Sequence, residues 1–293
     1  ALPQRTLDFM ATQGIEEMSS DDPRLGTLLH VLPLGGAIEP CEEANKQLVV
    51  LIGFPYDEGC ALNGGRPGAS QAPDHFRSHL AKIGPTINAE LGGIDLASRL
   101  HLVDAGDIDP ALSLPEAHLA LECRVLEALQ AGGLPFVIGG SNDESYPNAV
   151  ALLRHHASDG STVHVTNVDA HLDVRPLVHK KDNEEVKLAH SGSPFRLLIE
   201  DDRFMGSFTE FAAQGQQCSA AHAQFVEDNG HSIYWLRDLR KAQGRCLSKW
   251  EELLSDKGQE NGIHFVSFDL DSVQSSDAPG VSCPATVGIT AEE

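Results

Sequence analysis

The stretch Val168-Asp169-Ala170-His171-Leu172-Asp173 constrains this chain more than any other. It closes the run Thr162-Val163-His164-Val165-Thr166-Asn167-Val168, which reads as a buried strand. Three metal-capable side chains follow at alternate positions. Successive residues of an extended segment face opposite ways, so Asp169, His171 and Asp173 share one side if the extension continues. A second run repeats the device: Ile263-His264-Phe265-Val266-Ser267-Phe268 ends in Asp269-Leu270-Asp271. Two strands that bring four carboxylates and an imidazole to one rim make a costly site unless a cation binds there. Carboxylates that close repel and raise each other's pKa. Oxygen-rich ligation with an imidazole suits Mn2+ or a related divalent ion. A single strand-end aspartate is ordinarily a loop cap or a surface charge. Two clusters, each after a buried strand, point instead to a metal site, because open α/β sheets place ligands at the carboxyl ends of their strands.

Taken in order, residues 1–46 are polar and read as irregular, with a turn or helix start at Ser19-Ser20-Asp21-Asp22-Pro23. Strands are expected at 47–54, 101–107, 135–138, 162–168, 232–236 and 263–269. Between them, helices are expected from Ala72 to Leu80, after Ser113, from Ser145 to His156, after Phe195 and over 248–254. Ser113 with Glu116 three residues on is a capping box, and Leu119, Cys123, Val125, Leu126 and Leu129 suggest that helix's apolar stripe. The charged stretch 180–187 reads as a loop. The glycine-rich segment Asn63-Gly64-Gly65-Arg66-Pro67-Gly68-Ala69 follows the first strand; it has no lysine for a phosphate loop, and it is a candidate pocket wall or simply a tight connection. Strands alternating with helices predict an α/β, three-layer α/β/α fold with a mainly parallel central sheet. Residues 47–293 read as one domain after the irregular N-terminal segment.

Composition excludes several partners. With 43 acidic and 21 Lys+Arg residues the formal charge is −22, which repels phosphate backbones and anionic lipid, so neither nucleic acid nor membrane is expected. Six scattered cysteines without a CxxC pair suit reduced, mostly buried thiols in the cytoplasm. Met10 is a candidate native start, and a homo-oligomer is left open.

These residues together resemble the ureohydrolase superfamily of arginases, agmatinases and formimidoylglutamases. Asp169-Ala170-His171-Leu172-Asp173 and Ser267-Phe268-Asp269-Leu270-Asp271 match its two acidic motifs, and 278–290 is similar to the segment that follows them. Arg175, Ser191-Gly192-Ser193-Pro194-Phe195, residues 63–69 and Trp235-Leu236-Arg237-Asp238-Leu239-Arg240 resemble the formimidoylglutamase branch most closely. The resemblance implies an arginase-like fold and two Mn2+ ions. It implies hydrolysis of the C–N bond of N-formimino-L-glutamate, a small-molecule amidine of histidine metabolism, to glutamate and formamide. Asp169 and Asp269 would be shared by both ions, Asn142 and Asp173 would complete the first site, and His171 and Asp271 the second. Asp271 or Asp269 would move the proton of the attacking water. Arg175 would clamp a substrate carboxylate or else form a structural ion pair, and Ser191, Gly192 and Ser193 would line the pocket.

Two departures from the pattern are visible. Asn142 stands where the family has a histidine, and an amide oxygen is a poorer donor to a transition ion. The chain also ends at Glu293, ahead of the family's late Glu-Val-Asn-Pro segment, so a C-terminal part is expected to be missing. An agmatinase or guanidino-acid ureohydrolase, or a non-catalytic relative with an impaired metal site, remain as alternatives.

Overall fold

The computed structural model describes residues 23–80, 82–84, 86–180, 183–241, 246–258 and 262–293. Of the turn or helix start expected at 19–23, residues 19–22 lie outside them. In chain order the elements are β1 (Leu29–Val31), β2 (Gln47–Gly53), α1 (Glu58–Leu62), α2 (Ala72–Leu80), β3 (Ile87–Asn88), β4 (Ile94–Asp95), β5 (Leu100–Asp107), α3 (Leu114–Gln130), β6 (Leu134–Ile138) and α4 (Ser145–His155). Then come β7 (Thr162–Val168), β8 (Val178–Lys180), β9 (Asn183–Leu188), α5 (Pro194–Ile199), β10 (Phe208–Ala213), α6 (Ala220–Asp228), β11 (Ser232–Trp235), α7 (Leu236–Lys241), α8 (Cys246–Gly258) and β12 (Gly262–Phe268). Alternating strands and helices, with parallel pairing in both four-stranded sheets, place the chain in the α/β/α class that the sequence predicts.

Two compact units divide the chain. The first comprises residues 1–56 and 70–140. Its sheet has the order β1-β5-β2-β6. The apolar run of β2 leaves Val50 and Ile52 fully buried, and Leu51 joins Leu29, Leu80 and Leu102 in one cluster. The segment before residue 47 is therefore not wholly irregular, since Leu29–Val31 pairs in parallel with β5. In α3 the capping box of Ser113 and Glu116 is present, but the buried stripe is Leu114, Ala117, Leu121, Val125 and Ala128. Leu119 and Cys123 face outward. Small alanines let the helix approach closely, so the stripe follows packing volume and not leucine count.

The second unit comprises residues 57–69 and 141–293, with sheet order β11-β10-β7-β12. Every residue of β10 is buried, so it lacks the alternation that reveals a strand, and the sequence reading passed over it. Of the stretch read as a loop at 180–187, Lys180 and residues 183–187 belong to the antiparallel pair β8–β9, and residues 181–182 lie outside the described residues. Phe211, in β10, packs edge-on to Trp250 at 5.3 Å between ring centres, within a cluster that includes Val168, Leu236, Leu253 and Ile289.

All six cysteines are free, but only Cys60 and Cys246 are buried, so the expectation of mostly buried thiols does not hold. Among the described residues no helix is long and apolar enough to cross a membrane.

Candidate metal centre

The site is built at the carboxyl ends of β7 and β12. These strands run parallel in direct register, Ser267 opposite Asn167 and Phe268 opposite Val168. Both therefore end at one level, and Asp169 and Asp269 leave it side by side. The extension does not continue past them, which corrects the alternating-face argument. Asp169 Oδ1 accepts a hydrogen bond from the backbone N–H of His171 at 2.7 Å, and Asp269 Oδ1 accepts one from that of Asp271 at 2.9 Å. Each carboxylate thus curls its own backbone in an Asx turn, a local bond that outcompetes the strand. Asp173 then adopts a left-handed φ of +44°, a conformation that aspartate tolerates better than most residues.

The result is two groups of ligand-capable atoms, Asp169 with His171 and Asp271, and Asp169 with Asp173 and Asp269. Within each group the atoms lie within 4.8 Å of one another, and Asp169 belongs to both. Asp169 is completely buried and Asp271 nearly so. His171 Nδ1 sits 3.3 Å from Asp169 Oδ1 and 3.2 Å from Asp271 Oδ2. Burial works against charge on the His171 imidazole, but its contacts with those two carboxylates outweigh burial and raise its pKa far above the ordinary range. Asp173, Asp269 and Asp271 are all pushed upward, by burial first and by the charge of Asp169 second. Asp169 alone is lowered: burial raises it, and the hydrogen bond and charge of His171 more than compensate. Asp271 Oδ1 is buried without a hydrogen-bond partner. A closely spaced acid cluster with an unused buried acceptor is the donor set that a hard divalent cation satisfies.

Asn142 reaches the same place from the 3-10 turn ahead of α4. Its amide nitrogen, not its oxygen, faces the acids: Nδ2 donates to Asp173 Oδ2 at 2.8 Å and lies 3.5 Å from Asp169 Oδ2. Its Oδ1 accepts from Ser145 Oγ at 2.7 Å and Ser267 Oγ at 3.3 Å, and those hydroxyls pair at 2.9 Å. The amide as oriented thus offers a donor where the sequence reading expects a ligand oxygen. Carboxylates crowded at this spacing dictate that orientation, since an amide N–H is the only favourable face for them. Neither serine's contact with Asn142 could be read from the sequence.

A cavity of about 300 Å³ adjoins the acids. His171, Asp173, Arg175, Cys218, Ser219 and His222 are among its walls. Arg175 is exposed, and its Nη1 donates to Asn63 Oδ1 at 3.1 Å; among the described residues it makes no ion pair. Asn63 in turn donates to Ser191 Oγ at 3.0 Å, so the glycine-rich loop does reach the pocket motif. Gly192 lies close to both side chains: a Cβ there would sit 2.8 Å from Asn63 Nδ2 and 3.0 Å from Arg175 Cδ, so one or both would have to shift. None of Ser191, Gly192 and Ser193 is among the walls of this cavity, although all three were expected there. Ser193 is fully buried, and its hydroxyl donates to the carbonyl of His190 at 2.8 Å. His190 is likewise buried, with ring contacts to Pro176 O and the Gly192 N–H.

Comparison with known proteins bears on the whole of this unit and more. The family model described as "Arginase family" matches residues 47–293. A curated formimidoylglutamase of Rhodococcus opacus is 30% identical over 274 residues, covering 91% of this chain and 78% of the relative. The crystal structure of Trypanosoma cruzi formiminoglutamase with Mn2+2 is similar at 45% identity and a TM-score of 0.75, covering 93% of this chain and 83% of that one. An Asn-to-His variant of the same enzyme with Mn2+2 has a TM-score of 0.75 at 44% identity, with the same coverage. The fold, the two acidic motifs and these relatives agree: the chain belongs to the arginase family, as a hydrolase of amidine carbon–nitrogen bonds.

Proposed function

We propose that this chain is a binuclear manganese hydrolase that cleaves N-formimino-L-glutamate to glutamate and formamide, a step of histidine degradation carried out in the cytoplasm. The observation that carries the reading is the pair of acid groups sharing Asp169. Asp169 and Asp269 would be held in common by two ions, Asn142 and Asp173 would complete one site, and His171 and Asp271 the other. When bound, paired Mn2+ ions supply Lewis acidity that brings the pKa of a shared water towards neutrality. The chain's residues do the rest. Asp271, a ligand whose Oδ1 is buried without a hydrogen-bond partner, would also take a proton from the attacking water. Asp269 is the second candidate for that proton. Arg175 lines the cavity beside the acids, oriented by Asn63, and its remaining N–H groups suit a substrate carboxylate. Ser191, tied to Asn63, fixes the loop next to it. A half-turn of the Asn142 amide would present its oxygen to an ion, and the Ser145 and Ser267 hydroxyls can accept from its nitrogen as readily as they now donate to its oxygen.

The test has two parts. Elemental analysis after Mn2+ loading and desalting should find retained metal. A substrate panel should then show turnover of formimino-glutamate and none of agmatine, whose cationic tail meets like charge at Arg175. Agmatine turnover would reassign the substrate to the guanidino class. Retained metal without turnover of any amidine would leave a binding protein with the arginase fold.

A further inference from the structure

One buried acid lies outside the ligand set and beneath it. Glu210, in the middle of β10, is wholly inaccessible to solvent. It stands directly opposite Asn167 in the parallel register of β10 and β7. Asn167 Nδ2 donates to both Glu210 oxygens, at 3.3 Å and 3.2 Å, and to Asp169 Oδ2 at 3.1 Å. Asn167 is also completely buried, and its own Oδ1 has no partner. Turning the amide over would set its oxygen against the Asp169 carboxylate and would give up the bond that its nitrogen makes there.

A carboxyl group is an expensive occupant for such a position. Burial and the charge of Asp169 both push its pKa upward. Among the described residues the only side-chain donor to Glu210 is Asn167. Leucine or valine would fill the middle of a buried strand at less cost, so stability does not account for an acid here. What Glu210 does do is fix the amide that holds one oxygen of Asp169, while the backbone N–H of His171 holds the other. Asp169 is the residue common to both ligand groups, so its orientation governs both.

We infer that Glu210 is a positioning residue for the metal centre: it locks Asn167, and through Asn167 it sets the carboxylate plane of Asp169. The inference rests on the metal reading of the preceding section. Outer partners of metal ligands are worth roughly 10- to 100-fold in metal affinity. The experiment is calorimetric titration of Mn2+ into the full chain and its variants, with the free ion followed by electron paramagnetic resonance. Glu210→Leu, which removes the acceptor but keeps the volume, should weaken Mn2+ binding by that factor. Glu210→Gln, which keeps an acceptor oxygen and can also satisfy Asn167 Oδ1, should bind within about threefold of the parent. Asn167→Ser should match Glu210→Leu, and combining the two should cost no more than either alone, because both break one link. Should Glu210→Leu fail to fold, Asn167→Ser alone carries the expectation. Unchanged affinity in Glu210→Leu with only a lowered thermal midpoint would overturn the inference in favour of a packing role. Equal weakening in Gln and Leu would overturn it too, since charge and not hydrogen bonding would then be at work. If the parent chain itself retains no Mn2+, the metal reading fails, and that failure is visible before any variant is compared.

Discussion

Arg77→Met tests how the first compact unit is held together. Arg77 is 9% exposed and grips Asp104 with two hydrogen bonds, Nε to Oδ2 at 2.7 Å and Nη2 to Oδ1 at 2.9 Å. Its Nη1 donates to Asp107 Oδ1 at 2.6 Å. Asp107 keeps 32% of its side-chain surface and can rehydrate, whereas Asp104 keeps 5% and cannot. The cost of removing the arginine is therefore mainly that of one stranded buried carboxylate, about 3–5 kcal/mol. Replacing the partner as well, in Arg77→Met/Asp104→Leu, removes that stranded charge. It leaves the Gly106 N–H without its Asp104 acceptor, so the double variant should remain about 1–2 kcal/mol below the parent. Tryptophan fluorescence is the wrong probe, because Trp235 and Trp250 both belong to the other unit. Hydrogen exchange of peptides spanning β2 and β5 reads the right place. A loss of about 3 kcal/mol corresponds to roughly 150-fold faster exchange through cooperative opening. A single variant that speeds exchange less than about fivefold, or a double variant as fast as the single, would refute the argument that stranded charge sets the cost.

Other expectations follow from the second unit. Asp169→Ala should abolish binding of both Mn2+ ions, measured by elemental analysis, because that residue belongs to both acid groups; retention of one ion would remove it as a shared ligand. In the parent, titration should resolve two unequal Mn2+ affinities, and Asn142→His should strengthen the weaker step by replacing an amide with imidazole; equal affinities unmoved by the substitution would count against the assignment. Arg175→Ala should raise the KM for formimino-glutamate with little change in kcat if its contact is uniform between ground and transition states. Arg175 is exposed, so the lower end of the range for charge-assisted pairs applies, on the order of tenfold. The hydrogen bonds of Arg203 hold the Asp201 carboxyl down at about 2, with Tyr146 adding to them and burial opposing. A depressed carboxylate stabilises the fold above its unfolded value near 3.8, and that contribution disappears as pH falls towards 2. Acid unfolding followed by tryptophan fluorescence should accordingly be flatter between about pH 4 and pH 2 in Asp201→Asn than in the parent.

The parts of this protein that were legible in the sequence share one physical property: their signal is local. Residues 47–54, 135–138 and 162–168 read as strands because apolar and β-branched side chains dominate them, and strands are found at Gln47–Gly53, Leu134–Ile138 and Thr162–Val168. The acid clusters were legible because two strand runs in one chain each end in several acids, which loop caps or surface charges do not account for. Non-local packing hid the rest. The alternation expected of Asp169, His171 and Asp173 failed because each motif's leading carboxylate bonds the backbone two residues on, a competition that residue spacing does not reveal. The stripe of α3 was misplaced because Ala117 and Ala128, both fully buried, outrank the larger but exposed Leu119 in close packing. Strand β10 was missed because Glu210 and Thr209 disguise a segment with no exposed face.

That last omission bears on the site itself. The ligands of a metal centre announce themselves by residue type, but the groups that orient them are ordinary polar residues on neighbouring strands. Asn167 is adjacent in sequence to the motif and still carried no signal, because its function depends on a glutamate 43 positions away that only the parallel register brings opposite. Asn142 depends likewise on Ser267, 125 positions away. Ligands can be read from one strand at a time. Their orientation requires the sheet, since the bonds that fix Asp169 and Asn142 cross from β7 to β10 and from the turn before α4 to β12.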